Sequence, residues 1–395
     1  MSDFVKNEIN DGILTVRLFD RVDSANAAQV ESEIELARTQ NMPENILLDA
    51  EGLKYISSAG LRVILRLRKA YPNLKILNVS SEVYEILEMT GFTEMMEIEK
   101  AYRRISIDGC EVIGKGSNGE VYRIDPDTIV KVYFNPDSLP DIQRERELAR
   151  KAFIKGIPTA IPYDVVKVGN SYGSVFELLN AVSFSKILAK EPQKVDEVTK
   201  MYVDLLKKIH ATQVEANDMP DEKQVVLGWV DDIRKYIAED KWQKLHALVE
   251  AVPEDHHMIH GDYHIKNVML QDGEALLIDM DTLCYGNPVF EFASIFNAYK
   301  GFYAGRPAVT GPTFIGIDYD LGIKVFEESL RLYFGTEDKV FLQKIEEKAA
   351  LVGYTRLLRR TMRRCDMSDP IEQAAVAYYK KTIEAMIDHI DCLTF

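Results

Sequence analysis

The feature that most constrains this chain lies between His260 and Asp281. It reads His260-Gly261-Asp262-Tyr263-His264-Ile265-Lys266-Asn267-Val268-Met269-Leu270 and then Leu276-Leu277-Ile278-Asp279-Met280-Asp281. Two short apolar runs predict the strands of a hairpin, which brings two carboxylates and an asparagine together. Phosphoryl transfer asks for that set: a base beside an attacking hydroxyl, and hard oxygen ligands around magnesium to neutralise phosphate oxygens. Asp262 fits the base. Asn267, five residues on, offers an amide oxygen to the metal, and Asp279, ending the next apolar run, offers the main carboxylate. Isolated Asp and Asn residues are mostly loop polar groups, but the joint order and spacing here set these apart. Asp281 is expected to stand just outside the metal ligands. His260 is expected to be a satisfied structural histidine, and His264 to face the cleft or solvent without chemistry. His256 and His257 read as solvated loop, and His210 as packed and hydrogen-bonded within a helical lobe.

Upstream, Gly114-Lys115-Gly116-Ser117-Asn118-Gly119-Glu120-Val121 sits between two strand-like runs. Because it leads into a strand rather than opening a helix, the spacing is that of the glycine-rich hairpin of kinases and not of a dinucleotide-binding turn. Its glycines allow the backbone to approach phosphates and donate N–H groups to them. In Ile129-Val130-Lys131-Val132 the lysine is an odd charge in an apolar run, and its ammonium is placed to reach α and β phosphates. A carboxylate should hold it, and the helix IQRERELARKAF offers Glu145 and Glu147. Ile142, Leu148, Ala149, Ala152 and Phe153 define an apolar stripe with Glu145 near its middle and Glu147 opposite, so helical phase selects Glu145. The later run SVFELL is expected to link two lobes, with backbone atoms of Glu177 to Leu179 meeting a purine edge.

The first hundred residues alternate differently. GILTVRL, NILLDA and LKILNV read as strands; residues 26–39, with Ala28, Val30, Ile34 and Ala37 in phase, then SSAGLRVILRLRKAY and SSEVYEILEMTGF read as helices. The order predicts a small α/β domain with helices packed on a sheet. At Tyr55-Ile56-Ser57-Ser58-Ala59-Gly60-Leu61 the serines can cap the following helix, and a phosphate on Ser58 would sit in the field of that helix end. This turn and its surroundings resemble the STAS domain of anti-sigma factor antagonists. The resemblance implies that Ser58 is a regulatory phosphosite and Gly60 the motif glycine, with Ser57 where that family usually has Asp. It also implies an anti-sigma-type protein partner.

From about residue 105 onward the motifs resemble the aminoglycoside phosphotransferase and choline kinase branch of the kinase superfamily. The resemblance implies a two-lobed fold, an ATP or GTP donor and one or two Mg2+ ions, and it extends to Glu145 ahead of Gly156-Ile157-Pro158. Glu291, in Pro288-Val289-Phe290-Glu291, stands where the family usually shows Asp. The expected organisation is therefore an α/β STAS-like domain at 1–103, followed by an α+β, two-lobed, protein-kinase-like domain. Its strand lobe is expected at 104–180 and its helical lobe at 181–395.

Length alone, 395 residues, favours more than one core. No apolar run reaches the roughly 20 residues of a membrane span, and the start of the chain lacks a secretory pattern, so a membrane is not expected as a partner. Four widely separated cysteines predict reduced thiols in a cytoplasm. A formal charge of −15 opposes nucleic acid as a partner. Only Met280 to Phe290 lie between the metal aspartate and the anchor Glu291, too short for a peptide-shaping activation segment. That brevity favours a small-molecule hydroxyl as acceptor, with residues 191–255 and 319–395 forming the acceptor wall. Two other readings remain: a protein kinase acting on Ser58 in this or another STAS domain, and a non-catalytic STAS scaffold.

Overall fold

The computed structural model describes residues 4–10, 12–116, 118–306 and 313–395, and the chain forms two compact units that divide between Ser106 and Ile107.

The first unit contains β1 (Val5–Asn10), β2 (Ile13–Val22), α1 (Ala27–Asn41), β3 (Asn45–Ile56), α2 (Ser58–Ala70), β4 (Lys75–Val79), α3 (Ser81–Met89), α4 (Phe92–Met95), β5 (Glu97–Lys100) and β6 (Arg103–Ile105). Strands β1 to β5 lie side by side in chain order; β1 and β2 are antiparallel, and the others are parallel. Alternation dictates which face is covered: Leu14, Val16 and Leu18 of β2 and Ile46, Leu48 and Ala50 of β3 are buried. The α/β architecture expected from the sequence is present, with differences of detail. Strand β1 went unread because only Val5 in it is buried, and its place is set by pairing with β2 rather than by an apolar pattern. Helix α1 buries Ala27 and exposes Ala28. Strand β3 continues past Ala50 to Ile56, with register shifts opposite Phe19 and Arg21.

In the second unit, β7 (Glu111–Lys115), β8 (Gly119–Asp125), β9 (Thr128–Tyr133), β11 (Ser171–Glu177) and β10 (Asp164–Val168) are antiparallel neighbours in that spatial order. Helix α5 (Leu139–Ile154) joins β9 to β10 and sends Leu148, Ala149 and Ala152 into the large apolar core of the following helical lobe. That lobe begins with β12 (Val182–Ser183) and α6 (Phe184–Lys190), followed by α7 (Val195–His210), α8 (Glu222–Ile233) and α9 (Glu239–Glu250). Two small pairings then shape the loop with the densest motifs: β13 (Met258–Ile259) with β16 (Cys284–Tyr285), and β14 (Val268–Gln271) with β15 (Glu274–Leu277). Helix α10 (Pro288–Tyr299) is buried from Val289 onward, and α11 (Tyr319–Phe334), α12 (Lys339–Arg364) and α13 (Pro370–Ile387) pack around it and each other.

Candidate active site

Strands β7 and β8 form the glycine hairpin, and at Gly119 a Cβ would lie 2.3 Å from the Val132 carbonyl oxygen, so no larger residue fits there without moving β9. On β9, the Lys131 Nζ donates to Glu145 Oε1 at 3.1 Å and Oε2 at 3.3 Å and to Asp279 Oδ1 at 2.8 Å. The structure places the carboxylate that helical phase selected against this lysine: Glu145 is 5% exposed, whereas Glu147 pairs with Arg150 at the surface. Phe153, expected in the same stripe, is instead 55% exposed, because the stripe ends at Ala152 as the helix leaves the core. Tyr133, which the sequence did not single out, donates its hydroxyl to Glu145 Oε2 at 2.6 Å. Burial opposes the Lys131 charge, but Asp279 and Glu145 outweigh it and hold the ammonium well above the usual lysine range.

The His260–Asn267 loop is fastened on several sides. Backbone N–H groups of His260 and Gly261 donate to the fully buried Glu291 carboxylate. Arg356 Nη1 donates to the Gly261 carbonyl at 2.8 Å, the Thr282 hydroxyl to the His260 carbonyl at 2.8 Å, and Asn267 Nδ2 to the Asp262 carbonyl at 3.0 Å. Gly261 has φ +78°, and a Cβ there would lie 2.6 Å from the Thr282 carbonyl oxygen, so glycine is required. Glutamate at 291 therefore performs the anchoring expected of that position. Asp279 adopts a left-handed φ of 64°, a strained conformation for a residue with a Cβ that turns its carboxylate toward Lys131.

His264 faces the cleft, as expected, but is otherwise buried, with its Nε2 3.5 Å from Asp262 Oδ2. One histidine expectation needs correction. His260 is only half satisfied: Nδ1 accepts from the Asp262 N–H, while its buried Nε2 lacks a partner among the described residues. His210 packs as expected, with Nδ1 2.8 Å from the Tyr333 hydroxyl. Burial would push the Asp262 carboxyl up, but the neighbouring His264 and Arg356 more than offset it and hold the group below the usual carboxylate range. Its side chain is 41% exposed toward the cleft.

A single cleft of about 1560 Å³ runs through the second unit. Gly114, Gly116, Asn118, Gly119 and Val121 of the hairpin line it, as do Lys131 and Glu145. So do Glu177 and Leu179 at the link between lobes, and Asp262, Asn267 and Asp279 below. Ser117 lies outside the described residues. Among those described, no cluster of three or more His, Cys, Asp or Glu side chains is disposed to hold a metal. The Asn267–Asp279 pair instead suits an ion that takes its remaining oxygens from phosphate and water, as magnesium does. Burial, then the neighbouring Asp279 and Glu145 carboxylates, push the Asp281 carboxyl up from its usual range.

Of the two stretches expected to form a wall of the cleft, 319–395 lines it through Arg356, Arg359, Arg360, Arg363 and Arg364 of α12, whereas 191–255 supplies only Trp229 among the lining residues. The spacing i, i+3, i+4, i+7, i+8 in TRLLRRTMRR was the available signal, since it places those arginines on one helical face. In the first unit, Ser57 rather than Ser58 caps α2, accepting from the Ala59 N–H at 3.2 Å, and Ser58 is exposed as the first helical residue.

The strand lobe, the helical lobe and the cleft with its lysine–glutamate pair define a protein of kinase-like fold. Residues 109–309 match the phosphotransferase enzyme family, and the chain belongs to that family. Residues 5–105 match the STAS domain. In this region the chain is 37% identical over 92 residues, 22% of its own length, to BtrV of Bordetella bronchiseptica, named as an anti-sigma factor antagonist, and covers 78% of that protein. Among solved structures, the ADP-bound aminoglycoside phosphotransferase APH(2'')-Ib is 14% identical, with 78% of this chain and 99% of that one covered and a TM-score of 0.48. A thermostable APH(4)-Ia mutant in complex with ADP and hygromycin B is also 14% identical, covering 71% of this chain and 93% of that one at 0.48. No helix among the described residues is long and apolar enough to cross a membrane.

Proposed function

We propose that the second unit transfers the γ-phosphoryl group of ATP or GTP to a hydroxyl of a small molecule, with Asp262 as base and Asn267 and Asp279 as magnesium ligands. The observation that carries this reading is the convergence of Lys131, Glu145, Asp262, Asn267 and Asp279 on one cleft beneath a glycine hairpin. Magnesium bound to the triphosphate supplies charge neutralisation at the phosphate oxygens. Glu145 and Tyr133 orient Lys131 toward those oxygens, hairpin N–H groups cover them, and the backbone of Glu177 and Leu179 meets the base. Asp262, held ionised, accepts a hydrogen bond from the acceptor hydroxyl and takes its proton as the new P–O bond forms. Residues 104–180 and 181–395 are the two lobes in this reading. Residues 1–103 serve as a regulatory or docking module for an anti-sigma-type partner. Four unpaired cysteines suit a cytoplasmic reaction.

Asp262→Asn should lower turnover by about 10²–10⁴-fold while leaving nucleotide affinity in place. Unchanged turnover would remove Asp262 from the base role. One observation favours a second reading: Ser58 is exposed and Ser57 does the capping, so the Ser58 hydroxyl is open to modification. Incubation with ATP and magnesium followed by mass spectrometry separates the two. Phosphate on Ser58 supports a serine kinase of STAS domains, and its absence beside turnover of a small alcohol supports the first reading.

A further inference from the structure

The chain carries a formal charge of −15, yet one wall of its cleft is strongly basic. Its arginines outnumber the carboxylates that pair with them. Asp232 serves both Arg359 and Arg363, and Glu372 takes Arg306 at 3.1 Å. Arg356 commits one nitrogen to the Gly261 carbonyl and lies over the Trp229 ring at 5.3 Å. Arg360 and Arg364 are exposed, and among the described residues neither has a carboxylate within ion-pair distance; Arg360 lies 5.3 Å over the Phe302 ring. Lys266 donates to the Phe314 carbonyl at 3.1 Å and lies 5.3 Å over the Phe314 ring. Cations gathered on one face repel one another and favour an anion that neutralises them. Guanidinium groups in particular present paired N–H donors that match carboxylate and phosphate oxygens.

We propose that the acceptor is an anionic alcohol: a small molecule bearing, besides the hydroxyl that is phosphorylated, a phosphate or carboxylate held by Arg360 and Arg364. This rests on the phosphotransferase reading above. The acceptor oxygen attacks the γ-phosphorus, the bond from that phosphorus to the β–γ bridging oxygen breaks, and the nucleoside diphosphate leaves with the electron pair. The hydroxyl proton passes to Asp262. An acceptor rich in amines would meet repulsion along the same wall.

Inorganic phosphate is the direct probe, titrated into full-length protein saturated with magnesium and ADP. Wild type should bind it; Arg360→Gln and Arg364→Gln should each weaken binding about tenfold, the scale of one charge-assisted contact. Arg360→Lys, which keeps the charge, should lose less. In parallel, ADP release from magnesium–ATP is measured against sugar phosphates, hydroxy acids, uncharged sugars and kanamycin. The sugar phosphates and hydroxy acids distinguish a phosphate from a carboxylate as the recognised group. Phosphate affinity that the substitutions leave unmoved, no phosphate binding by wild type, or the highest kcat/KM on kanamycin or an uncharged sugar would overturn the anionic acceptor alone. Failure to bind ADP at all would overturn the phosphotransferase reading and this inference with it.

Discussion

Lys131 is held between a buried glutamate and a strained aspartate, and both contacts bear on stability as well as chemistry. Removing the cation leaves the buried Glu145 carboxylate with Tyr133 as its remaining close partner. Breaking such a pair costs about 3–5 kcal/mol. Lys131→Met should therefore lower the unfolding midpoint and abolish nucleotide binding, and adding Glu145→Gln should restore much of the stability but none of the binding. Denaturant unfolding beside a nucleotide titration reads both. Glu222 makes a separate prediction, for pH. Burial pushes it up to about 7, with Arg356 and the Cys284 thiol pulling partly back. The native protein thus holds a proton that the unfolded chain releases near the ordinary glutamate value, so stability falls as pH rises from about 4.5 to about 7. Glu222→Gln removes that slope. Its Tm should match wild type near pH 4 and exceed it at pH 8, by the equivalent of about 3 kcal/mol at most.

Among the elements, those with a one-sided apolar pattern were legible and those placed by a neighbour were not. The phase of α5 picked Glu145 because a buried carboxylate and a buried apolar stripe share one face. Strand β1 offered no such pattern. On α12 the arginine spacing was visible, but whether that face meets solvent or the cleft depends on how α12 packs on α10 and α8. Helix α2 carries a local prediction. Ser57 satisfies one of its first N–H groups, so Ser57→Ala should destabilise the first unit by about 1 kcal/mol. Ser58→Ala, exposed at the first helical position, should change it by less than about 0.5 kcal/mol. Chemical denaturation of the two variants compares them directly.

At the scale of the molecule, each unit has its own apolar core, one built on β2 to β4 and the other on α7, α10 and α12. Every residue lining the cleft falls between Glu111 and Arg364. Residues 102–395 expressed alone should consequently bind magnesium–ATP with the affinity of the full chain. A loss beyond about tenfold in a fluorescence or calorimetric titration would show that the first unit contributes to the site.

By itself the sequence determined the α/β and two-lobed architecture and the candidate chemical set at Lys131, Glu145, Asp262, Asn267 and Asp279, since strand alternation, helical phase and short-range spacing are local properties of the chain. The tertiary structure alone decided that His264 stands beside Asp262, that Arg356 holds a carbonyl 95 residues away, and that the arginine face of α12 lines the cleft. Those outcomes depend on which faces of distant helices pack together, and periodicity within one helix names a face without naming what it meets.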